Sequence, residues 1–164
     1  MEENDFIEII SNNSGIINNI VRMYCHNNAD RDDLHQEIVA QLWKAIPKFR
    51  GDSKISTWIY RVALNVAISD FRKRKREPVT ANAGNTYPEI PDSGSKRPEE
   101  EIQLLYRAIE KLTRIERAMI LLYLDGQAYE DISEIMGITG NNARVKMHRI
   151  KEKLKLIFKE LNDG

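Results

Sequence analysis

The sequence predicts an all-α fold: two small helical domains joined by a flexible linker, the second containing a helix-turn-helix. Three observations lead there. Apolar residues recur at helical spacing in both halves, and no stretch alternates with period two for long enough to suggest a sheet. Four of the five prolines (Pro78, Pro88, Pro91, Pro98) and two of the eight glycines fall within EPVTANAGNTYPEIPDSGSKRP, which has no apolar periodicity. The stretch YEDISEIMGITGNNARVKMHRI, residues 129–150, reads as two short helices hinged at Gly137, with Thr139 placed to cap the second. The domains are therefore expected at 1–76 and 99–164, with 77–98 as the linker. A flexible coil of about 22 residues spans on the order of 25 Å, enough for two domains to take independent positions on a large partner.

In the first domain, Phe6, Ile9, Ile10, Ile16, Ile17, Ile20, Val21 and Tyr24 mark one amphipathic helix, weakened by Gly15 and several asparagines. A second helix carries Leu34, Ile38, Leu42 and Ile46 at i, i+4 spacing, and Pro47 helps to end it. A third is expected from about Ser53 to Arg76, with Ile55, Ile59, Val62 and Val66 as its core stripe. In the second domain, Ile102, Leu105, Ile109 and Leu112 form one helix, and Thr113 with Glu116 makes a capping box that opens the next. The helix-turn-helix adds two more. In its last helix Ala143, Met147, Ile150, Leu154 and Ile157 have the spacing of a buried stripe, which turns Asn141, Arg144, Val145, His148 and Arg149 outward.

Composition narrows the function classes. With 41% apolar and 30% charged residues the chain, of 164 residues, is expected to be a soluble globular protein, and no apolar run approaches the roughly 18 residues of a membrane span. No membrane insertion is expected. The N-terminus MEENDFIEII is acidic and lacks the order of a signal peptide, so the expected location is cytoplasmic. Cys25 cannot form an internal disulfide, and with only His26, His35 and His148 beside it there is no metal-ligand spacing, so neither metal nor cofactor is expected. Net charge is zero, yet acidic residues gather in EENDFIE, DRDD and PEEE while basic ones gather in RKRKR and ARVKMHRIKEKLKLIFK. A polyanion feels the local patch, because the field decays over a Debye length of about 10 Å.

Two faces carry chemistry. A helix-turn-helix sets the N-terminal half of its second helix in the major groove, where Arg bonds guanine and Asn bonds adenine. Asn141, Asn142, Arg144, His148 and Arg149 supply such groups, and the small polar TGNN lets the backbone approach phosphate. A plain solvated basic face is the blander explanation, but it accounts for neither the Gly137 hinge nor the Thr139 cap. On the third helix, Trp58, Arg61, Asn65, Ser69, Arg72 and Arg76 fall on one continuous face. An aromatic, an amide and several cations together suit single-stranded nucleic acid, by stacking and phosphate neutralisation. Duplex reading in one domain and opened strand in the other point to transcription initiation.

The stretch DRDDLHQEIVAQLWKAIPKFRGDSKISTWIYRVALNVAISDFRKRKR resembles the promoter-melting domain of the extracytoplasmic-function (ECF) sigma factors of bacterial RNA polymerase. AIEKLTRIERAMILLYLDGQAYEDISEIMGITGNNARVKMHRIKEKL resembles their upstream-element-reading domain, in the family's order and at its separation. The resemblance implies that Asp33, Gln36, Glu37 and Gln41 form a docking face for the clamp helices of core RNA polymerase. It implies that the loop of Phe49, Arg50, Gly51, Asp52, Ser53 and Lys54 pockets a base flipped from the minus-ten element of promoter DNA, and that Asn65 contacts the opened non-template strand. Arg144, His148 and Arg149 would meet the minus-thirty-five element, with Lys146 on the flank against phosphate. An anti-sigma factor, often membrane-tethered in such systems, is the implied inhibitory partner. The chain departs from the family pattern at Ala128, where Ser or Thr commonly caps the helix, and at Asn142-Ala143-Arg144-Val145-Lys146, where Thr-Val-Lys-Ser-Arg is common.

Two other functions fit the sequence less well. A DNA-acting enzyme would need a metal-binding carboxylate cluster or an activated serine, and the acids of DRDD are explained by the helix dipole at whose positive end they sit. A helix-turn-helix repressor or activator with a helical sensor or dimerisation domain leaves the Trp58-to-Arg76 face without a purpose.

Overall fold

The computed structural model describes the backbone of residues 2–75 and 96–163, and the side chains of these except for residues 70–75 and 96–98. The expected linker 77–98 thus lies outside the described residues apart from residues 96–98, where the next helix has already begun. The chain divides into two compact units, Met1–Asn85 and Thr86–Gly164. Every regular element among the described residues is helical.

Unit 1 contains α1 (Glu3–Asn12), α2 (Ser14–Tyr24), α3 (Asn28–Ala45) with a single 3-10 turn at Ile46–Lys48, and α4 (Ile55–Lys75). The single amphipathic helix expected over residues 6–24 is two helices. The cause is Asn13, whose side-chain amide donates to the Ile9 carbonyl at 2.8 Å and competes with the helix's own ladder. α3 starts where Asn27 accepts from the Asp30 N–H at 2.7 Å, and Asp30 lies in the first turn, where the helix dipole favours an acid. Pro47 sits in the 3-10 turn that follows, as the sequence implied.

The core of unit 1 is formed where α2, α3 and α4 pack on one another around Ile17, Ile20, Leu34, Ile38, Leu42 and Ile59. The expected core stripe of α4 needs correction. Ile59 is buried, but Ile55, Val62 and Val66 are only half-buried, and the centre of the buried face is Tyr60, Ala63, Leu64 and Ala67. α4 packs against both α2 and α3, so a broad face is covered, and small alanines let helix axes approach closely. The sequence expectation favoured large β-branched residues and overlooked Ala63 and Ala67.

Unit 2 contains α5 (Lys96–Glu110), α6 (Arg114–Leu124), α7 (Tyr129–Met136) and α8 (Gly140–Asp163). α8 packs against the other three, and Met119, Leu122, Ile132, Ala143 and Met147 sit at the centre. Leu154 and Ile157, expected in the same stripe, are half-buried near the end of α8. The capping box is complete: the Thr113 hydroxyl accepts from the Glu116 N–H at 3.2 Å, and the Glu116 carboxylate accepts from the Thr113 N–H at 2.9 Å. The same carboxylate meets the Lys153 ammonium at 2.7 Å, tying the start of α6 to α8.

Partial burial by itself would lift the Glu116 carboxyl, but the hydrogen bonds from Lys153 and Thr113 outweigh it and hold it below its usual value. A carboxyl depressed on folding stabilises the fold above its unfolded pKa, and that contribution fades as pH falls through the lower folded value. Unit 2 is therefore expected to lose stability below the ordinary carboxylate value of 4.5, and Glu116→Gln to flatten this acid limb. Thr113→Ala should cost about 1 kcal/mol at neutral pH. Both tryptophans, Trp43 and Trp58, belong to unit 1, so the measurement is amide hydrogen exchange in α6 and α8 rather than fluorescence. At α7 the N-cap is Ala128, whose backbone sits at φ −68 and ψ 155, the extended geometry of a cap, with no side-chain bond to the helix. Ala128→Ser is expected to protect α7 amides by about 1 kcal/mol; unchanged exchange would count against this account of the helix start.

Candidate nucleic-acid interface

The hinge of the helix-turn-helix has the geometry its sequence implied. Gly137 adopts φ 69 and ψ 36, the left-handed conformation that a residue with a Cβ pays to enter, and the Ile138 N–H bonds the Ser133 carbonyl at 3.0 Å to close the turn. Two residues on, the Thr139 hydroxyl accepts from the Asn142 N–H at 3.1 Å and opens α8. Ala143 and Met147 are fully buried at 0% exposure, which fixes the rotation of α8 about its axis.

That rotation exposes Asn141, Asn142, Arg144, Val145, Lys146, His148 and Arg149 together. Val145 is 43% exposed, an apolar spot amid polar groups. The Arg144 guanidinium lies 5.4 Å from the centre of the Tyr129 ring on α7. Farther along α8, the Lys151 ammonium stands 3.8 Å from the centre of the Tyr123 ring. Tyr123, and to a lesser degree Tyr129, hold this lysine above its ordinary value, so it stays charged.

In unit 1 the loop between the 3-10 turn and α4 contains Phe49, Arg50, Gly51, Asp52, Ser53 and Lys54. Gly51 has φ 79, again left-handed, and a Cβ there would meet open space, so the glycine answers to backbone conformation rather than crowding. Arg50 and Lys54 are exposed, and Phe49 and Ser53 half-buried. Phe49 and Trp58 bring their rings to 5.2 Å between centroids at a 41° tilt. Trp58 is consequently half-buried although it lies opposite the core face of α4, while Arg61, Asn65 and Ser69 are exposed on the same side. The side chain of Arg72 and all of Arg76 lie outside the described residues.

On α3, Asp33, Gln36 and Glu37 are exposed and Gln41 half-buried, and the Gln41 amide donates to the Glu37 carboxylate at 3.1 Å. The sequence reading overlooked what adjoins them. An apolar groove of about 610 Å³ runs between α1 and α3, lined by Phe6, Ile7, Gln36, Val39 and Trp43 among others. Ile7 and Trp43 are 53% and 45% exposed, and Phe6 meets Trp43 edge-on at 4.9 Å. The signal was present as the spacing of Gln36, Val39, Ala40 and Trp43, a second helical stripe beside the one that fills the core.

A second apolar groove, of about 540 Å³, lies in unit 2 between α5, α6 and the end of α8, lined by Leu105, Ile120, Tyr123, Leu124, Leu154 and Phe158 with Lys151, Lys155 and Lys159 at its margin. Among the described residues no three His, Cys, Asp or Glu side chains are grouped to hold a metal, and no helix is long and apolar enough to cross a membrane.

Comparison with known proteins places these surfaces in a family. Residues 9–77 match the Sigma-70 region 2 family and residues 102–154 the Sigma-70 region 4 family. The ECF RNA polymerase sigma-E factor of Escherichia coli is 31% identical over 135 residues, covering 75% of this chain and 71% of that protein. The RNA polymerase sigma-H factor of Pseudomonas aeruginosa is 30% identical over 150 residues, covering 84% of this chain and 77% of that one. Among solved structures, the sigma factor RpoE in complex with the anti-sigma factor NepR from Bartonella quintana matches with a TM-score of 0.73 at 19% identity, over 94% of this chain and 97% of that one. CnrH in complex with the cytosolic domain of CnrY matches with a TM-score of 0.70 at 16% identity, over 97% of this chain and 90% of that one. At those identities the two structures bear on the fold alone, whereas the curated relatives and the two region matches bear on descent. The chain belongs to the ECF sigma factors, which bind core RNA polymerase and direct promoter recognition and opening for transcription initiation.

Proposed function

We propose a division of labour along this sigma factor, in which residues 1–76 dock on core polymerase and open the promoter while residues 99–164 read the upstream element. Docking uses Asp33, Gln36, Glu37 and Gln41, together with the groove of Phe6, Ile7, Val39 and Trp43. Their continuity supports this reading, since a polar rim around an exposed aromatic is the usual composition of a protein interface. The loop from Phe49 to Lys54 takes a flipped minus-ten base, and Trp58, Arg61, Asn65 and Arg72 track the opened strand. The chemistry of RNA synthesis stays with the polymerase, and this chain contributes recognition and strand separation.

The upstream assignment is carried by one observation: seven polar or exposed positions of α8, from Asn141 to Arg149, face outward together because Ala143 and Met147 are sealed inward. We place the factor in the cytoplasm, where polymerase and chromosome are. We also propose control by an anti-sigma factor, as the family resemblance implied; the similar structures solved with NepR and CnrY support this reading.

The experiment is transcription by reconstituted holoenzyme from wild-type and point-mutated promoters at several salt concentrations. Arg149→Ala is expected to cost about 1–3 kcal/mol and relax preference at one base pair, as loss of a bidentate base contact does. Lys146→Ala should instead weaken all sequences and reduce the salt slope by about one. An Arg149→Ala factor that keeps the wild-type rate and order of promoter preference would overturn the assignment of α8.

A further inference from the structure

The position of the Arg144 side chain has a cause outside its own helix. Its guanidinium carbon lies 5.4 Å from the centre of the Tyr129 ring, inside the roughly 6 Å over which a ring face attracts a cation. The side chain also folds back along α8: a Cβ added to Gly140 would meet Nη1 at 3.6 Å. The guanidinium is thus held between the first residue of α7 and the bare backbone of the first turn of α8. Tyr129 is itself well placed to hold it. The Ile132 N–H bonds the Ala128 carbonyl at 2.9 Å to start α7 at this residue, and Ile132, one turn on, is buried in the core.

The geometry leaves the arginine able to do two things at once. A guanidinium stacks through its flat face and donates hydrogen bonds from its edge. With its carbon 5.4 Å from the ring centre, the guanidinium can meet the ring through its face and keep edge donors for a base or a phosphate. A long, exposed side chain also loses rotamer freedom when it is fixed on DNA, and less is lost if it is already ordered.

We propose that Tyr129 is a positioning residue for promoter reading, its ring holding the Arg144 guanidinium over the first turn of α8 so that the cation reaches DNA already ordered. This rests on the reading of α8 as the upstream-element helix.

The test is a double-mutant cycle in holoenzyme reconstituted from the full chain, read as binding to a duplex that the wild-type holoenzyme selects from a randomised library. Arg144→Ala should weaken binding about fivefold or more. Tyr129→Leu should weaken it roughly two- to five-fold, the worth of an exposed cation–ring contact, and should add no further loss in the Arg144→Ala background. Tyr129→Phe, which keeps the ring, should bind as wild type. Amide exchange in α7 and α8 monitors folding, and Tyr129→Met replaces the leucine variant if that one unfolds. Equal losses from Tyr129→Leu in both backgrounds would overturn the proposal, since the tyrosine would then act through the fold. A loss in Tyr129→Phe as large as in Tyr129→Leu would also overturn it, since the hydroxyl would then be the active group. If Arg144→Ala weakens binding while Tyr129→Leu does not, the positioning role fails and the reading of α8 stands. If Arg144→Ala binds as wild type, the reading of α8 at this residue fails with it.

Discussion

The angle at which a helix is turned about its own axis is the constraint on which both candidate surfaces depend. In α8 that angle is set by Ala143 and Met147 at 0% exposure and Ile150 at 3%. Turning the helix by one residue would carry Arg144 or Lys146 toward the core, and a charge buried without a partner costs several kcal/mol. The buried stripe therefore determines which side chains face outward. In α4 the same role falls to Ile59, Ala63, Leu64 and Ala67, which leave Arg61, Asn65 and Ser69 on the solvent side.

Features governed by neighbours in sequence were legible before the structure. The Thr113–Glu116 box, the left-handed Gly137 and the Thr139 cap are each made by residues within a few positions of one another, and residue type alone identifies them. The stripe of α8 was readable because its inward residues are apolar and its outward ones polar. Less legible were features that depend on what a helix packs against. Ala63 and Ala67 carry little hydrophobic signal, yet they are buried because α4 packs against two partners. The groove beside Trp43 needs α1 to form its other wall, and the split at Asn13 depends on a side-chain bond that competes with the helix ladder. The contact between Arg144 and Tyr129 joins residues on different helices, and periodicity within either one does not reveal it.

A net charge of zero is compatible with a DNA-directed protein because the charges are unevenly placed. Two acids pair with lysines of α8, Glu116 of α6 with Lys153 at 2.7 Å and Glu152 with Lys155 at 3.4 Å. The exposed Glu152–Lys155 pair adds little stability, whereas Glu116 is partly buried. Between Asn141 and Arg149 the exposed cations of α8 are Arg144, Lys146 and Arg149, with no acid among them. The exposed side of α3 proposed for docking, with Asp33 and Glu37, has the opposite sign, so the surfaces proposed for polymerase and for upstream DNA differ in charge.

The central claim is that opening and reading belong to separate helical faces of one chain. Footprinting both events on a single promoter complex tests it most directly, with nuclease protection reporting occupancy of the upstream element and permanganate reactivity reporting unpaired thymines. With Trp58→Ala combined with Asn65→Ala, the account predicts that core-polymerase binding and upstream protection persist while thymine reactivity falls sharply. Thymine reactivity equal to wild type, or loss of upstream protection together with it, would contradict the account.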